Sequence, residues 1–180
     1  MPSADLIPAA DLFVRHAPFV ATFLRRLGSA PHDIDDLVQE TFLVVHRHGG
    51  FRPGAAKPTT WLAAIALRLF QNHRRSTRRK HTRDSGIEPA EPVDHLARLE
   101  ARSSLERVER ALLELDTEHR AVFVLFELQD QSCDDIAQAL EVPVGTVYSR
   151  LHHARRKFIS AYQSLTNTRA ADARTAGAQS

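Results

Sequence analysis

The sequence predicts an all-α protein of two small helical domains joined by a flexible linker, the second domain carrying a helix-turn-helix. Three observations lead there. Apolar residues recur at helical spacing in almost every periodic stretch, and no convincing alternation marks a strand. The stretch "HTRDSGIEPAEPVD", residues 81–94, carries two prolines, a glycine and scattered charge, as linkers do. Near the C-terminus, "CDDIAQAL", a short turn and "VPVGTVYSRLHHARRKF" read as two helices closely joined.

The elements follow in order. A first helix is expected from about Asp11 to Leu27, broken by "GSAPHD". Asp33 is a good N-cap for a second helix reaching about Arg47. "HGGFRPGAAKP" is a loop by its Gly and Pro content, after which Thr59 or Thr60 caps a long helix through about Arg79. Beyond the linker, a block starting near His95 places apolar residues at Leu96, Leu99, Leu105, Val108 and Leu112. Asp116 or Thr117 caps "EHRAVFVLFEL", Ser132 caps "CDDIAQAL", and "EVP" turns the chain into the last helix. The final "TNTRAADARTAGAQS" is small and polar, and disorder is expected there.

Composition narrows the function classes. No apolar run approaches the roughly 20 residues of a membrane span. The start "MPSADLIPAADLF" lacks the basic and apolar regions of a signal peptide, so a cytoplasmic location is expected. The single cysteine, Cys133, excludes an internal disulfide framework and reads as a small, partly buried hydrophobe. The net charge of +2 conceals segregation. Ten Lys/Arg and no acid lie between Thr41 and Arg83, ten acids and four Arg between Asp84 and Glu118, and five Lys/Arg and no acid between Val142 and Ala171. Basic blocks of this kind attract polyanions locally even at small net charge.

In the last helix, a 100° step per residue puts Val147, Leu151, Ala154 and Phe158 on one face and Ser149, His152, His153 and Arg156 opposite. Tyr148 and Arg155 lie on one flank, Arg150 and Lys157 on the other. A helix start with small and polar groups, backed by arginines, suits the major groove and its phosphates. The pair His152–His153 does not suit a metal, because adjacent side chains diverge and no Cys or His stands at ligand spacing.

The N-terminal block carries two further surfaces. In the second helix Ile34, Leu37, Val38, Phe42 and Val45 face one side; Asp36, Gln39, Glu40, Leu43 and Arg47 face the other, an exposed leucine ringed by acids and an amide. In the third helix Leu62, Ile65, Ala66, Leu69 and Phe70 form a wide apolar face. Its narrow polar stripe is Ala64, Arg68, Gln71, Asn72 and Arg75, with Trp61 on the stripe. An indole beside arginines and an amide can stack on an unpaired base while the cations hold phosphate. "HRRSTRRKHTR" follows at once and fits backbone contacts.

With these residues in view, the chain resembles the group 4, extracytoplasmic-function sigma factors of the sigma-70 family. "DIDDLVQETFLVVHRH", "FRPG…TTWLAAIALRLFQNHRR" and "LDTEHRAVFVLFELQDQSCDDIAQALEVPVGTVYSRLHHAR" look like that family's regions 2.1–2.2, 2.3–2.4 and 4, in the family's order. The resemblance implies sigma region 2 over residues 8–80, a linker over 81–94, sigma region 4 over 95–165, and a tail over 166–180. It implies a dissociable, non-enzymatic subunit that brings core RNA polymerase to promoter DNA, with no cofactor, no small-molecule substrate and no membrane insertion. An anti-sigma factor is the further partner it implies.

Carried over by position, Asp36, Leu37, Gln39, Glu40 and Phe42 fall in the polymerase-docking segment. Leu37 and Phe42 face the domain core by periodicity, which leaves Asp36, Gln39, Glu40 and Leu43 for the contact. Phe51, Arg52, Trp61, Arg68, Asn72 and Arg75 match positions lining the −10 element site, and Thr146, Tyr148, Ser149, Arg150, His153 and Arg155 match the −35 reading helix. Four positions depart from the usual pattern. Arg68 stands where many members have Asn, Tyr148 and His153 replace frequent cations, and Glu141 replaces a common turn Gly.

Two other readings make different demands. A stand-alone helix-turn-helix regulator would bind duplex DNA without polymerase. A DNA-processing enzyme would need a nucleophile or paired carboxylates in a pocket; the cluster Asp33, Asp35 and Asp36 sits at a helix start, where acids complement the dipole.

Overall fold

The computed structural model describes residues 6–54, 57–81 and 96–177, with side chains for 6–54, 57–77 and 104–167. The expected linker falls almost wholly outside the described residues. The chain forms α1 (Ala9–Leu27), α2 (Pro31–Arg47), α3 (Pro58–His81), α4 (Leu96–Leu113), α5 (Thr117–Phe123) running into a π-helical turn (Val124–Leu128), α6 (Cys133–Leu140) and α7 (Val144–Gly177).

Helices α1–α3 pack on each other. Their buried faces are those the periodicity indicated: Leu12, Val20, Phe23, Leu24 and Leu27 on α1, and Ile34, Leu37, Val38, Phe42 and Val45 on α2. From α3 come Leu62, Ala66 and Phe70. α1 ends at Gly28, whose φ of 92° lets its N–H return to Arg25 O while Ser29 N–H returns to Leu24 O. Two helix starts differ from expectation. α2 begins at Pro31 after Ala30, so Asp33 lies in the first turn and does not cap. α3 begins at Pro58, so Thr59 and Thr60 are inside it. In both, a proline with its preset φ and missing N–H occupies the first turn.

Between α2 and α3 the backbone of Phe51 pairs with that of Ile7, N–H to O at 2.8 and 2.9 Å in the two directions. Gly50 permits this: a Cβ there would stand 2.4 Å from Ile7 O.

Helices α4–α7 form the second unit. Asp116 accepts from His119 N–H and Ser132 from Asp135 N–H, so both expected caps are present. Ile136 and Ala137 of α6 meet the buried Val147, Leu151 and Ala154 side of α7 in one apolar cluster. Glu141 closes α6 in the left-handed region at φ 56°, where a side chain costs about 1 kcal/mol. Cys133 is buried, and burial first, with Asp134 second, raises its thiol. Leu105, expected among the apolar contacts of α4, is exposed.

The C-terminal tail also differs from expectation. α7 continues to Gly177, so residues 166–177 are helical. Alanines at 170, 171, 173 and 176 supply enough helix propensity to prolong an already nucleated helix.

The two units touch. Their buried apolar residues join in one continuous cluster, with α1 against α4 and α5, and α3 against α6. Arg120, 5% exposed, donates from Nη1 to Leu27 O and from Nη2 to Leu113 O and Leu115 O at 2.7 and 2.6 Å. One guanidinium thus satisfies the last residues of both α1 and α4, where carbonyls lack helical partners. Burial first, then Arg74, pushes its pKa down to about 10, which leaves it cationic at neutral pH.

Candidate nucleic-acid interface

Three surfaces matter, and the helices place each. On α2, Asp36, Gln39, Glu40 and Leu43 are exposed together, Leu43 at 53%, while Leu37 and Phe42 are buried. Their spacing puts them on the outer side of α2. The neighbouring Phe13 of α1, also exposed, packs edge-on to Phe42 at 5.0 Å between centroids. Phe13 and Val14, 80% exposed, are apolar residues the sequence reading did not select; the excess of apolar positions on α1 was the available signal.

The α3 stripe is more complex than its sequence implied. Trp61 is half-buried, and its ring lies 5.3 Å from that of Phe51 at 50°. Phe51 itself is buried, so it supports the indole and does not offer its own face to a ligand. The Ile7–Phe51 backbone pairing holds that support in place. Arg52, Arg68, Asn72 and Arg75 are exposed, and Arg68 Nη2 stands 3.1 Å from Glu141 Oε1.

Ala64, expected on the polar stripe, is buried. The reason is its row. Thr60, Ala64 and Arg68 are four residues apart and share one face of the helix. Thr60 Oγ1 donates to Gln131 Oε1 at 2.8 Å, and Arg68 meets Glu141, so the second unit spans Ala64 between them. Lys57, before α3, pairs with Asp135 at 3.2 Å. Burial opposes ionisation of Asp135, but hydrogen bonds from Ser132 and the Lys57 ammonium hold its carboxyl below the usual range. Further along, Gln71, Arg74 and Arg75 face Asp116, Thr117 and Glu118 across a cavity of about 390 Å³, and Arg74 donates to Thr117 Oγ1 at 2.7 Å.

On α7, Tyr148, Ser149, His152, His153 and Arg156 are exposed as the helical wheel places them, Tyr148 at 57%. Thr146 is half-buried at the helix start, and its carbonyl accepts from Ser149 Oγ at 3.0 Å. Arg150 and Arg155 are not free cations. Arg150 pairs with Glu118, and Arg155 Nε donates to Glu127 Oε1 at 2.5 Å with its guanidinium 5.2 Å from the Phe126 ring centroid. Both acids come from α5 and the turn after it, some 30 residues upstream, so no local pattern in α7 reveals them.

Between α5 and α7 runs a groove of about 660 Å³ lined by Asp116, His119, His153, Arg156 and Lys157 among others. His119 Nδ1 lies 2.7 Å from Asp116, and its ring meets that of His153 edge-on at 6.1 Å. Burial would raise the Asp116 carboxyl; the His119 hydrogen bonds outweigh it and hold it low. His152 and His153 diverge at 76° between rings. Among the described residues no group of three or more His, Cys, Asp or Glu is placed to hold a metal ion.

The site is therefore a polar, largely cationic set of helix faces without a nucleophile–base pair. It can hold phosphate, stack a base and read groove edges. Comparison with known proteins agrees with that chemistry. Residues 12–80 match the family model "Sigma-70 region 2" and residues 105–158 match "Sigma-70, region 4". The chain is 32% identical over 161 residues to the "ECF RNA polymerase sigma factor SigL" of Mycobacterium tuberculosis, covering 88% of this chain and 90% of the relative. Among solved structures, the sigma factor RpoE in complex with the anti-sigma factor NepR, from Bartonella quintana, superposes with a TM-score of 0.67 at 22% identity, covering 86% of this chain and 96% of that one. CnrH, in complex with the cytosolic domain of CnrY, gives a TM-score of 0.62 at 28% identity, over 87% and 88% of the two chains.

Proposed function

The chain belongs to the sigma-70 family, in its extracytoplasmic-function group, and from that premise we propose how its residues bring core RNA polymerase to promoters. Residues 8–80 act as region 2 and residues 95–165 as region 4, joined by residues 81–94. The observation that carries the reading is the presence, in one chain and in the family's order, of two DNA-directed surfaces on two separate helical units. A regulator that only recognises duplex DNA needs one of them.

Each surface has a role its chemistry supports. Asp36, Gln39, Glu40 and Leu43 dock on polymerase: an exposed leucine ringed by polar groups is the composition of an interface centre. Trp61, braced by Phe51, stacks on a base freed from the duplex at the −10 element. Arg52, Arg68, Asn72 and Arg75 hold the strand there. Arg68 has donors only, where Asn would offer donor and acceptor, so base preference at that position favours acceptor edges. Thr146, Tyr148, Ser149 and His153 face the −35 groove, and Arg150 and Arg155 reach its phosphates on leaving Glu118 and Glu127.

Nothing in this scheme requires catalysis by the chain itself, so we assign it no enzymatic activity. No helix among the described residues is long and apolar enough to cross a membrane. A cytoplasmic location follows from work on RNA polymerase. The solved relatives are described as complexes with NepR, an anti-sigma factor, and with the cytosolic domain of CnrY, and by analogy we expect an anti-sigma partner here.

Reconstituted transcription tests the proposal. Purified protein and core enzyme should yield promoter-dependent transcripts from a genomic template pool, and the free protein should shift duplex promoter DNA poorly. Tight duplex binding without core, together with no binding to core, would establish the stand-alone regulator instead.

A further inference from the structure

The polar stripe of α3 does not face open solvent. Lys57, Thr60, Ala64, Arg68, Gln71 and Arg75 fall within about 80° of helix arc. That arc faces the second unit along its whole length. Lys57 pairs with Asp135, Thr60 with Gln131 and Arg68 with Glu141. Arg75 lies across a polar cavity from Asp116 and Glu118. Wherever this face presents a cation, the opposite unit presents a carboxylate, as a phosphate backbone would.

The closed arrangement and promoter engagement exclude each other by distance. Elements at −10 and −35 lie about 25 base pairs apart, or about 85 Å along B-form DNA. Here Arg68 is 3.1 Å from Glu141, which directly precedes the turn into the −35 helix. Glu141 adds an independent indication. It occupies φ 56°, a conformation that favours glycine, yet carries a side chain whose carboxylate reaches Arg68. The local fold gains nothing from that carboxylate; the contact between units does.

We propose that the second helical unit is an intramolecular cover for the α3 nucleic-acid surface, held by carboxylates that stand in for phosphates: Glu141 on Arg68, Asp135 on Lys57, and Asp116 with Glu118 opposite Arg75. Free protein rests closed. Binding that separates the units uncovers Trp61, Arg68 and Arg75 together. The cover rests on the reading of α3 as the −10 surface, and the test separates the two.

The probe is a labelled single-stranded oligonucleotide carrying a −10-type sequence, titrated against free protein and against holoenzyme. Glu141→Gly removes the carboxylate and relieves the backbone. It should bind the oligonucleotide about two- to fivefold more tightly than wild type when free, the range expected for losing one exposed ion pair. Its thermal stability should be equal or higher. Combined with Asp135→Asn, the gain should increase and small-angle scattering should show a larger radius of gyration. In holoenzyme, where the units are already apart, the variants should match wild type. Unchanged affinity of both free variants, with Trp61→Ala still weakening oligonucleotide binding by holoenzyme, overturns the cover and leaves the surface assignment standing. No effect of Trp61→Ala in holoenzyme overturns both.

Discussion

Substituting Arg120 probes the joint between the two units most directly. Its guanidinium, 5% exposed, gives hydrogen bonds to Leu27 O, Leu113 O and Leu115 O without a carboxylate partner. Hydrogen bonds to a charged group contribute about 1.5–3 kcal/mol each. A lysine keeps the charge but has one nitrogen in place of a fork, so Arg120→Lys loses at least one of the three and strains the rest. Allowing for the burial penalty that both cations bear, the expected loss is about 2–4 kcal/mol. For a chain of this size that is about 5–12 °C in Tm. Arg120→Met removes the penalty but strands all three carbonyls, and it should be no more stable than the lysine variant. Urea denaturation followed by circular dichroism measures the loss. The chain's single tryptophan, Trp61, reports the first unit separately by fluorescence. In the variants its transition should separate from the circular dichroism transition, because Leu27 belongs to α1 and Arg120 to α5. An Arg120→Met protein within about 0.5 kcal/mol of wild type, with coincident transitions, would refute the reasoning.

Three other outcomes are expected. Trp61→Ala should weaken single-stranded −10 binding by holoenzyme by about 5- to 150-fold, the range of one base–aromatic stack of about 1–3 kcal/mol, with −35 duplex binding unchanged; competition titrations of the two DNAs measure it. Leu43→Asp leaves the fold intact because the side chain is half out in solvent, and it should weaken core polymerase binding at least about tenfold, read by surface plasmon resonance. Asp116 and Asp135 are held below the ordinary carboxylate value, so the folded state binds fewer protons there than the unfolded chain. Their contribution is present above about pH 4 and is lost as pH falls through the folded values. Asp116→Asn/Asp135→Asn should therefore lose less stability than wild type between pH 5 and 3 in urea midpoints.

What was legible in the sequence was local. The buried faces of α1 and α2, the caps Asp116 and Ser132, and the turn before α7 all depend on residues within a few positions of each other, where period and hydrogen-bonding side chains speak directly. So do the exposed Asp36, Gln39, Glu40 and Leu43 and the outward face of α7. Motif order along the chain added the family. Helix starts at Pro31 and Pro58 escaped because proline and a capping Asp or Thr compete for the same few residues. The tail escaped because composition does not reveal that α7 already supplies the nucleus for its helix.

What tertiary structure decided is which charges are engaged. Arg68 and Glu141 lie 73 positions apart, Arg120 and Leu27 O 93 apart, and Arg155 and Glu127 28 apart. No window on the sequence joins such pairs, because their proximity comes from how whole helices pack. The sequence alone determines which residues can meet nucleic acid: cations, an indole and hydroxyls on the outer arcs of helices. The fold decides which of them are exposed for it and which are held by the other half of the chain, since an ion pair forms only where packing brings its partners within a few ångströms.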